Sequence, residues 1–171
     1  SKYLYFFDKD GLNTEYYANS YLMGTPAIGQ LDSDDELEIV IGGYSTSGKM
    51  IYAVNHDGSA VAGYPIDIGE KIIKGVALYD FDQNGIDEIV FGTDSDNLIR
   101  LSEDGSIAWS YPTGDKIQSA PSILVSSQET LICAGSKDDN FYCLTDDGEL
   151  KFQIPTDGNI YTSPSFLDTE N

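Results

Sequence analysis

The residues best placed to do chemistry lie in one short stretch, Asp80-Phe81-Asp82-Gln83-Asn84-Gly85-Ile86-Asp87-Glu88. Oxygen-bearing side chains stand at the alternate positions Asp80, Asp82 and Asn84. Gly85 follows where the backbone must turn sharply, and Glu88 closes the loop. Alternate oxygens on a tightly turning chain converge on one point, which suits a hard cation that takes six to eight oxygen ligands; Ca²⁺ is the expected ion. Asp and Asn are also favoured in turns that bind nothing, so the competing expectation is an acidic surface turn.

A degraded copy precedes it. In Gln30-Leu31-Asp32-Ser33-Asp34-Asp35-Glu36-Leu37-Glu38, Gln30 stands where the first Asp would be and Asp35 replaces the Gly, but Asp32, Asp34 and Glu38 remain. This predicts a weaker second cation site. The third copy, "LVSSQETL", has lost its carboxylates, and the fourth, "LDTEN", has Asp168 and Glu170 at ligand-like places.

Other catalytic constellations are missing. His56 is the only histidine, which excludes a zinc site built on several histidines and argues against a Ser-His-Asp triad. Its place before Asp57-Gly58 makes it a turn residue. There is no phosphate-cradling Gly-rich loop with a Lys and no C-x-x-C pair. Carboxylates are plentiful, but no acid and base pair stands out among them.

These loops need a scaffold, and a repeat supplies it. Asp-Gly recurs at Asp10-Gly11, Asp57-Gly58, Asp104-Gly105 and Asp147-Gly148, each after a short apolar run such as "IYAVNHDG" or "FYCLTDDG". After each comes a more polar segment ("TEYYA", "AVAGYPI", "IAWSYPT", "LKFQIPT"), then a third ("GTPAIGQL", "KGVALYDF", "SAPSILV", "TSPSFLD"). In three repeats a fourth follows: "LEIVIGG", "DEIVFGT" and "TLICAGS". Four short strands per unit joined by Gly, Asp and Asn turns predict an all-β fold, a β-propeller of four-stranded antiparallel blades.

A single sheet cannot hide both faces, so the blades must stack. Runs such as "EIVIGG" do not alternate and should be interior strands covered on both sides. The segments after Asp-Gly should be outer edges, with Pro65, Pro112 and Pro155 at their ends. With strands lettered A to D outward from the axis, the chain reads as a C–D pair near Tyr3, three A–B–C–D units and a last A near Phe166. That is one domain over residues 1–171, with repeats at about 3–49, 50–96, 97–139 and 140–171. The about four blades would be completed by dimerisation or belong to a larger ring of seven or eight.

With 29 acidic and 9 basic residues, a net charge of −20 repels nucleic acid and anionic lipid and draws in cations. Nothing reads as a signal peptide or membrane span, so membrane insertion is not expected. Acidity, abundant Tyr and Gly and few Lys lean toward an extracellular, cell-surface or periplasmic address. Cys133 and Cys143 flank a tight connection; they are either a cross-strand disulfide or two small buried hydrophobes.

"LYDFDQNGIDEIVFG" resembles the FG-GAP or VCBS repeat of integrin α-type propellers. "DGSIAWSYPTGDKIQSAPSI" and "GSKDDNFYCLTDDGELKFQIPTDGNIYTSPS" resemble quinoprotein-dehydrogenase-like repeats. The first resemblance implies that the Ile86 carbonyl joins the Ca²⁺ ligands, with Asp87 pointing outward or binding through water. The second implies that Trp109 and Phe152 dock blade to blade.

A propeller hosts many functions. The leading expectation is a non-enzymatic binding or scaffolding module with a structural Ca²⁺ loop, holding a protein or glycan. The alternative is the propeller of an enzyme, either a Ca²⁺-dependent polysaccharide lyase or hydrolase or a quinone-dependent dehydrogenase. The dehydrogenase needs a basic, aromatic pocket, and nine basic residues spread along the chain do not suggest one. A homodimer that completes the ring would also cover the strand edges at Tyr3 and Phe166.

Overall fold

Each Asp-Gly pair closes a hairpin, because a Gly at positive φ lets two antiparallel strands join tightly; Gly58, Gly105 and Gly148 have φ of 86°, 79° and 81°. In the computed structural model, which describes residues 1–46 and 48–167, fourteen strands form four sheets. The hairpin β1 (Tyr3–Asp8) and β2 (Gly11–Tyr17) stands alone as a C–D pair.

Three complete blades follow. The first is β3 (Ala27–Gly29), β4 (Glu38–Gly42), β5 (Met50–Val54) and β6 (Ile66–Asp67). The second is β7 (Val76–Tyr79), β8 (Glu88–Gly92), β9 (Asn97–Leu101) and β10 (Ile107–Pro112). The third is β11 (Ser122–Val125), β12 (Thr130–Gly135), β13 (Asn140–Thr145) and β14 (Leu150–Pro155). All neighbours are antiparallel and in chain order, so the chain is a β-propeller of four-stranded blades.

Burial follows the expected order. β4, β8 and β12 are buried along nearly their whole length, while β10 and β14 are largely exposed. One apolar layer joins Val40, Ile51 and Ala53 of the first blade to Ile89, Phe91 and Leu101 of the second. Another joins Val90 and Leu98 to Ile132, Ala134 and Leu144 of the third. Each large aliphatic side chain so buried contributes roughly 1.5–3 kcal/mol.

Two columns of close approach set the spacing between blades. A Cβ at Gly42, Gly92 or Gly135 would collide with Ile72, Ile117 or Ile160, the residue that leads into the next blade. A Cβ at Gly58, Gly105 or Gly148 would crowd Thr14, Ile66 or Trp109 of the preceding blade's outer strand. Trp109 thus docks on the next blade, and its Nε1–H donates to the Asp146 carbonyl at 2.8 Å. Phe152, at the matching place in the third blade, is 40% exposed.

Two expected strands differ. "AVAGYPI" is interrupted: Ala60 makes one bridge to Val54, the chain turns at Gly63, and pairing resumes only at Ile66–Asp67 after the cis Tyr64–Pro65 bond. The last A strand is not formed through Leu167, because an A strand pairs with the B strand that follows it in sequence. Asp168 and Glu170 lie outside the described residues. Cys133 and Cys143 sit directly opposite each other on β12 and β13, with Cα atoms 4.1 Å apart, and form a disulfide.

Candidate functional site

In an antiparallel blade the A–B and C–D connections share one end, and the B–C and D–A connections share the other. The two acidic loops are A–B connections on the same end of adjacent blades. They are built alike and differ in where their oxygens go.

In the second blade the carboxylates are committed. Asp80 accepts from the Asn84 N–H at 3.0 Å and the Gly85 N–H at 2.7 Å. Burial acts in the other direction, but the N–H groups of Gly85, Asn84 and Gln83 hold Asp80 below the usual carboxylate range. Asn84 accepts from the Ile86 N–H and donates to Asp82 and Glu103. Glu88 accepts from the Phe81 N–H at 2.7 Å through Oε2, and its Oε1 pairs with Arg100. The Arg100 guanidinium lies 4.3 Å from the Phe81 ring centroid and donates to the Asp146 carbonyl of the third blade at 2.9 Å. Asp87 points neither outward nor at a loop ligand. Its Oδ2 accepts from the Gln30 N–H of the first blade at 3.0 Å, and its own N–H donates to the Gln30 carbonyl.

In the first blade three carboxylates converge. Asp32, Asp34 and Glu38 each bring an oxygen within 4.8 Å of the others, the one such group of three among the described residues. Glu38 accepts from the Leu31 N–H at 2.7 Å through Oε2, matching Glu88, but its Oε1 is buried with no partner. Burial, and then the charges of Asp32 and Asp34, push the Glu38 carboxyl above its usual range against the opposing Leu31 N–H. Gln30, in the place of Asp80, donates to the Asp34 carbonyl at 2.7 Å and accepts from the Asp32 N–H.

Register supplies the reason. Val40 faces Ala53, and Val90 faces Arg100, so Ala53 and Arg100 are equivalent positions on β5 and β9. The third blade has Cys143 at that position, bonded to Cys133, and Leu131 where the glutamates stand. The loop with the better-spaced sequence therefore carries its own cation. The degraded loop keeps an unpaired buried oxygen suited to a hard divalent ion. Sequence spacing within each loop missed this, because the deciding residue lies on another strand. His56 is an exposed turn residue, as its position implies.

The opposite end holds most of the lysines, interspersed with Glu70, Asp94, Asp96, Asp115, Asp138, Asp139 and Asp157. Lys49, Lys71, Lys74, Lys116 and Lys137 lie on B–C turns and D–A connections, and Lys2 lies just before β1 at the same end; these are six of the nine basic residues. Lys49, Lys71 and Lys116, far apart in sequence, line one cavity of about 210 Å³ with Asp94 and Ser95. Aligning the repeats by strand rather than by Asp-Gly reveals this clustering in the sequence.

The blades and their paired-end loops define the chain as part of a β-propeller. It belongs to the family of the lambda-carrageenase beta-propeller domain, whose match covers residues 39–165. That family is neither of the two whose repeats the sequence resembles; the three share the propeller. No curated protein matches the sequence.

Among solved structures, BamB from Moraxella catarrhalis is similar, with TM-score 0.61 and 18% identity over 87% of this chain and 41% of that one. BBS1N, solved in complex with ARL6DN, has TM-score 0.70 and 12% identity over 95% of this chain and 50% of its own. The V. cholerae biofilm matrix protein Bap1 has TM-score 0.67 and 14% identity over 91% of this chain and 25% of its own. At these identities the likeness is one of fold, and this chain spans half or less of each neighbour's length.

Proposed function

We propose that this chain is a calcium-braced binding propeller that works outside the cytoplasm and holds a polysaccharide. Glu38 carries the metal reading: a buried carboxylate with one oxygen unpartnered, grouped with two further carboxylates whose oxygens lie within 4.8 Å, is costly unless a cation joins them. Ca²⁺ would take oxygens from Asp32, Asp34 and Glu38. Asp80, Asp82, Asn84, Ile86 and Glu88 form the second candidate loop, which competes with its own internal bonds. The disulfide supports an oxidising compartment, extracellular or periplasmic.

A polysaccharide partner is supported by the family's name, that of a carrageenase propeller. The same name favours a second reading, the propeller of a polysaccharide-degrading enzyme whose catalytic groups lie elsewhere. Calcium titration into chelator-treated protein tests the brace. One ion per chain is expected, lost in Glu38→Gln and retained in Asp80→Ala. Loss in Asp80→Ala alone would move the site to the second loop, and no heat with either loop intact would remove the metal.

A further inference from the structure

The two acidic loops are tied to each other across the junction between the first and second blades. Asp87, in the second loop, accepts from the Gln30 N–H at 3.0 Å, and the Asp87 N–H donates to the Gln30 carbonyl at 2.7 Å. The two residues are 57 positions apart, so blade packing brings them together, and both are half-buried. The close approach needs the glycine that ends β3: a Cβ at Gly29 would collide with the Asp87 carboxylate and with Leu78.

On its other side Gln30 braces the first loop. Its side chain donates to the Asp34 carbonyl at 2.7 Å and accepts from the Asp32 N–H at 3.2 Å, so one amide spans the segment that carries both aspartates. The N–H of the next residue, Leu31, donates to Glu38 Oε2. Asp32 Oδ1 and Asp34 Oδ1 accept from the N–H groups of Asp34 and Glu36. Each of the three converging carboxylates therefore gives one oxygen to a backbone N–H of the loop, and Glu38 Oε1 is left buried without a partner.

The next junction is made differently. By register, Leu37 holds the place of Asp87 in the first blade, and Asp80 holds the place of Gln30 in the second. Asp80 turns its carboxylate into its own loop, and the second and third blades are joined instead through Arg100 and the Asp146 carbonyl.

We propose that Asp87 and Gln30 are positioning residues for the cation site of the first loop, so that the second blade completes that site and the bound ion in turn fastens the two blades together. This rests on the calcium reading above and adds to it a control from the neighbouring blade. Asp87 lies outside the group of three carboxylates and acts through Gln30, as hydrogen-bond partners of metal ligands commonly do. By linkage, the factor that the Asp87–Gln30 contact adds to ion affinity is the factor that the ion adds to the contact.

The test is calcium titration into the chelator-treated chain, at a temperature where thermal melts show each variant folded. Asp87→Ala is expected to weaken binding roughly tenfold or more at unchanged stoichiometry. Asp87→Asn keeps a side-chain oxygen for the Gln30 N–H and removes the charge, so it should weaken binding less. Gln30→Ala should also weaken it, and the double variant Gln30→Ala, Asp87→Ala should lose less than the product of the two single factors, because the residues act as one unit. Hydrogen exchange reads the same coupling without mutation: calcium should slow exchange of the Gln30 and Asp87 N–H groups in the wild type. Unchanged affinity in Asp87→Ala, with binding still lost in Glu38→Gln, overturns the positioning role and leaves the calcium reading standing. Equal losses in Asp87→Asn and Asp87→Ala assign the effect to charge and also overturn it. Exchange that calcium does not slow overturns the fastening of the blades. No calcium bound by the wild type, or binding kept in Glu38→Gln, overturns both readings.

Discussion

Glu38 and Glu88 begin equivalent strands in adjacent blades, accept the same backbone hydrogen bond at 2.7 Å, and are 0% and 5% exposed. They differ in one neighbour: Arg100 stands beside Glu88, and Ala53 occupies the matching position near Glu38. A buried carboxylate is costly without a compensating partner, and the two blades differ there: one supplies a tethered guanidinium, and the other leaves Glu38 Oε1 without a partner. Ligand-like spacing along a loop therefore describes which oxygens are present and not which are free.

The comparison breaks most directly at Arg100. Arg100→Ala leaves Glu88 buried without a counter-charge and removes the link to the Asp146 carbonyl, so a loss of about 3–5 kcal/mol is expected by chemical denaturation. If the arginine stands in for a cation, part of that loss returns on adding calcium. A variant destabilised equally with and without calcium would mean the second loop cannot take a metal even when vacated.

If the first loop takes calcium as proposed, the next largest effect is expected there. At a hundredfold excess over its dissociation constant a bound ligand adds about 2.7 kcal/mol, which in a domain of this size raises Tm by about 5–10 °C. Glu38→Gln should abolish that rise in thermal melts, and Asp80→Ala should leave it intact. The reverse result would restore the better-spaced loop as the site.

The third blade treats the same cross-strand position in a third way, by covalent bond. Cys133 and Cys143 close a short loop, and replacing both by Ser should cost about 2–3 kcal/mol in the chain-entropy account, read as a lower denaturation midpoint. Because neither loop lies in that blade, the calcium response should survive the exchange. Its loss would show that the blades transmit strain to one another.

What the sequence made legible follows from what is local. Asp-Gly spacing marks the hairpins because Gly58, Gly105 and Gly148 need positive φ, and unbroken apolar runs mark β4, β8 and β12 because both their faces are covered. The interruption of β6 at Gly63 and Pro65 was less legible, since pairing there depends on the neighbouring strand as well as on composition. Arg100 meets Glu88 only through the register of β8 with β9, and Lys49, Lys71 and Lys116 meet only once three blades are stacked. Contacts between strands and between blades decide the site, and neither is written in a loop motif.

The smallest effect expected is one of pH, and it separates the two glutamates without any metal. Burial and the charges of Asp32 and Asp34 raise the Glu38 carboxyl, so the folded state binds a proton there more tightly than the unfolded chain does. The stability this proton contributes is fully present below the ordinary glutamate range and is lost as pH rises through the raised value. In calcium-free buffer the Tm of the wild type relative to Glu38→Gln should therefore fall as pH rises from the ordinary glutamate range through the raised value, since the amide cannot ionise. Other titrating groups are common to both proteins and cancel in the difference. Saturating calcium should flatten it, because the ion favours the ionised carboxylate that burial disfavours. A flat difference in calcium-free buffer would mean that solvent or a neighbouring group already meets Glu38 Oε1, and the distinction between the two loops would then rest on Arg100 alone.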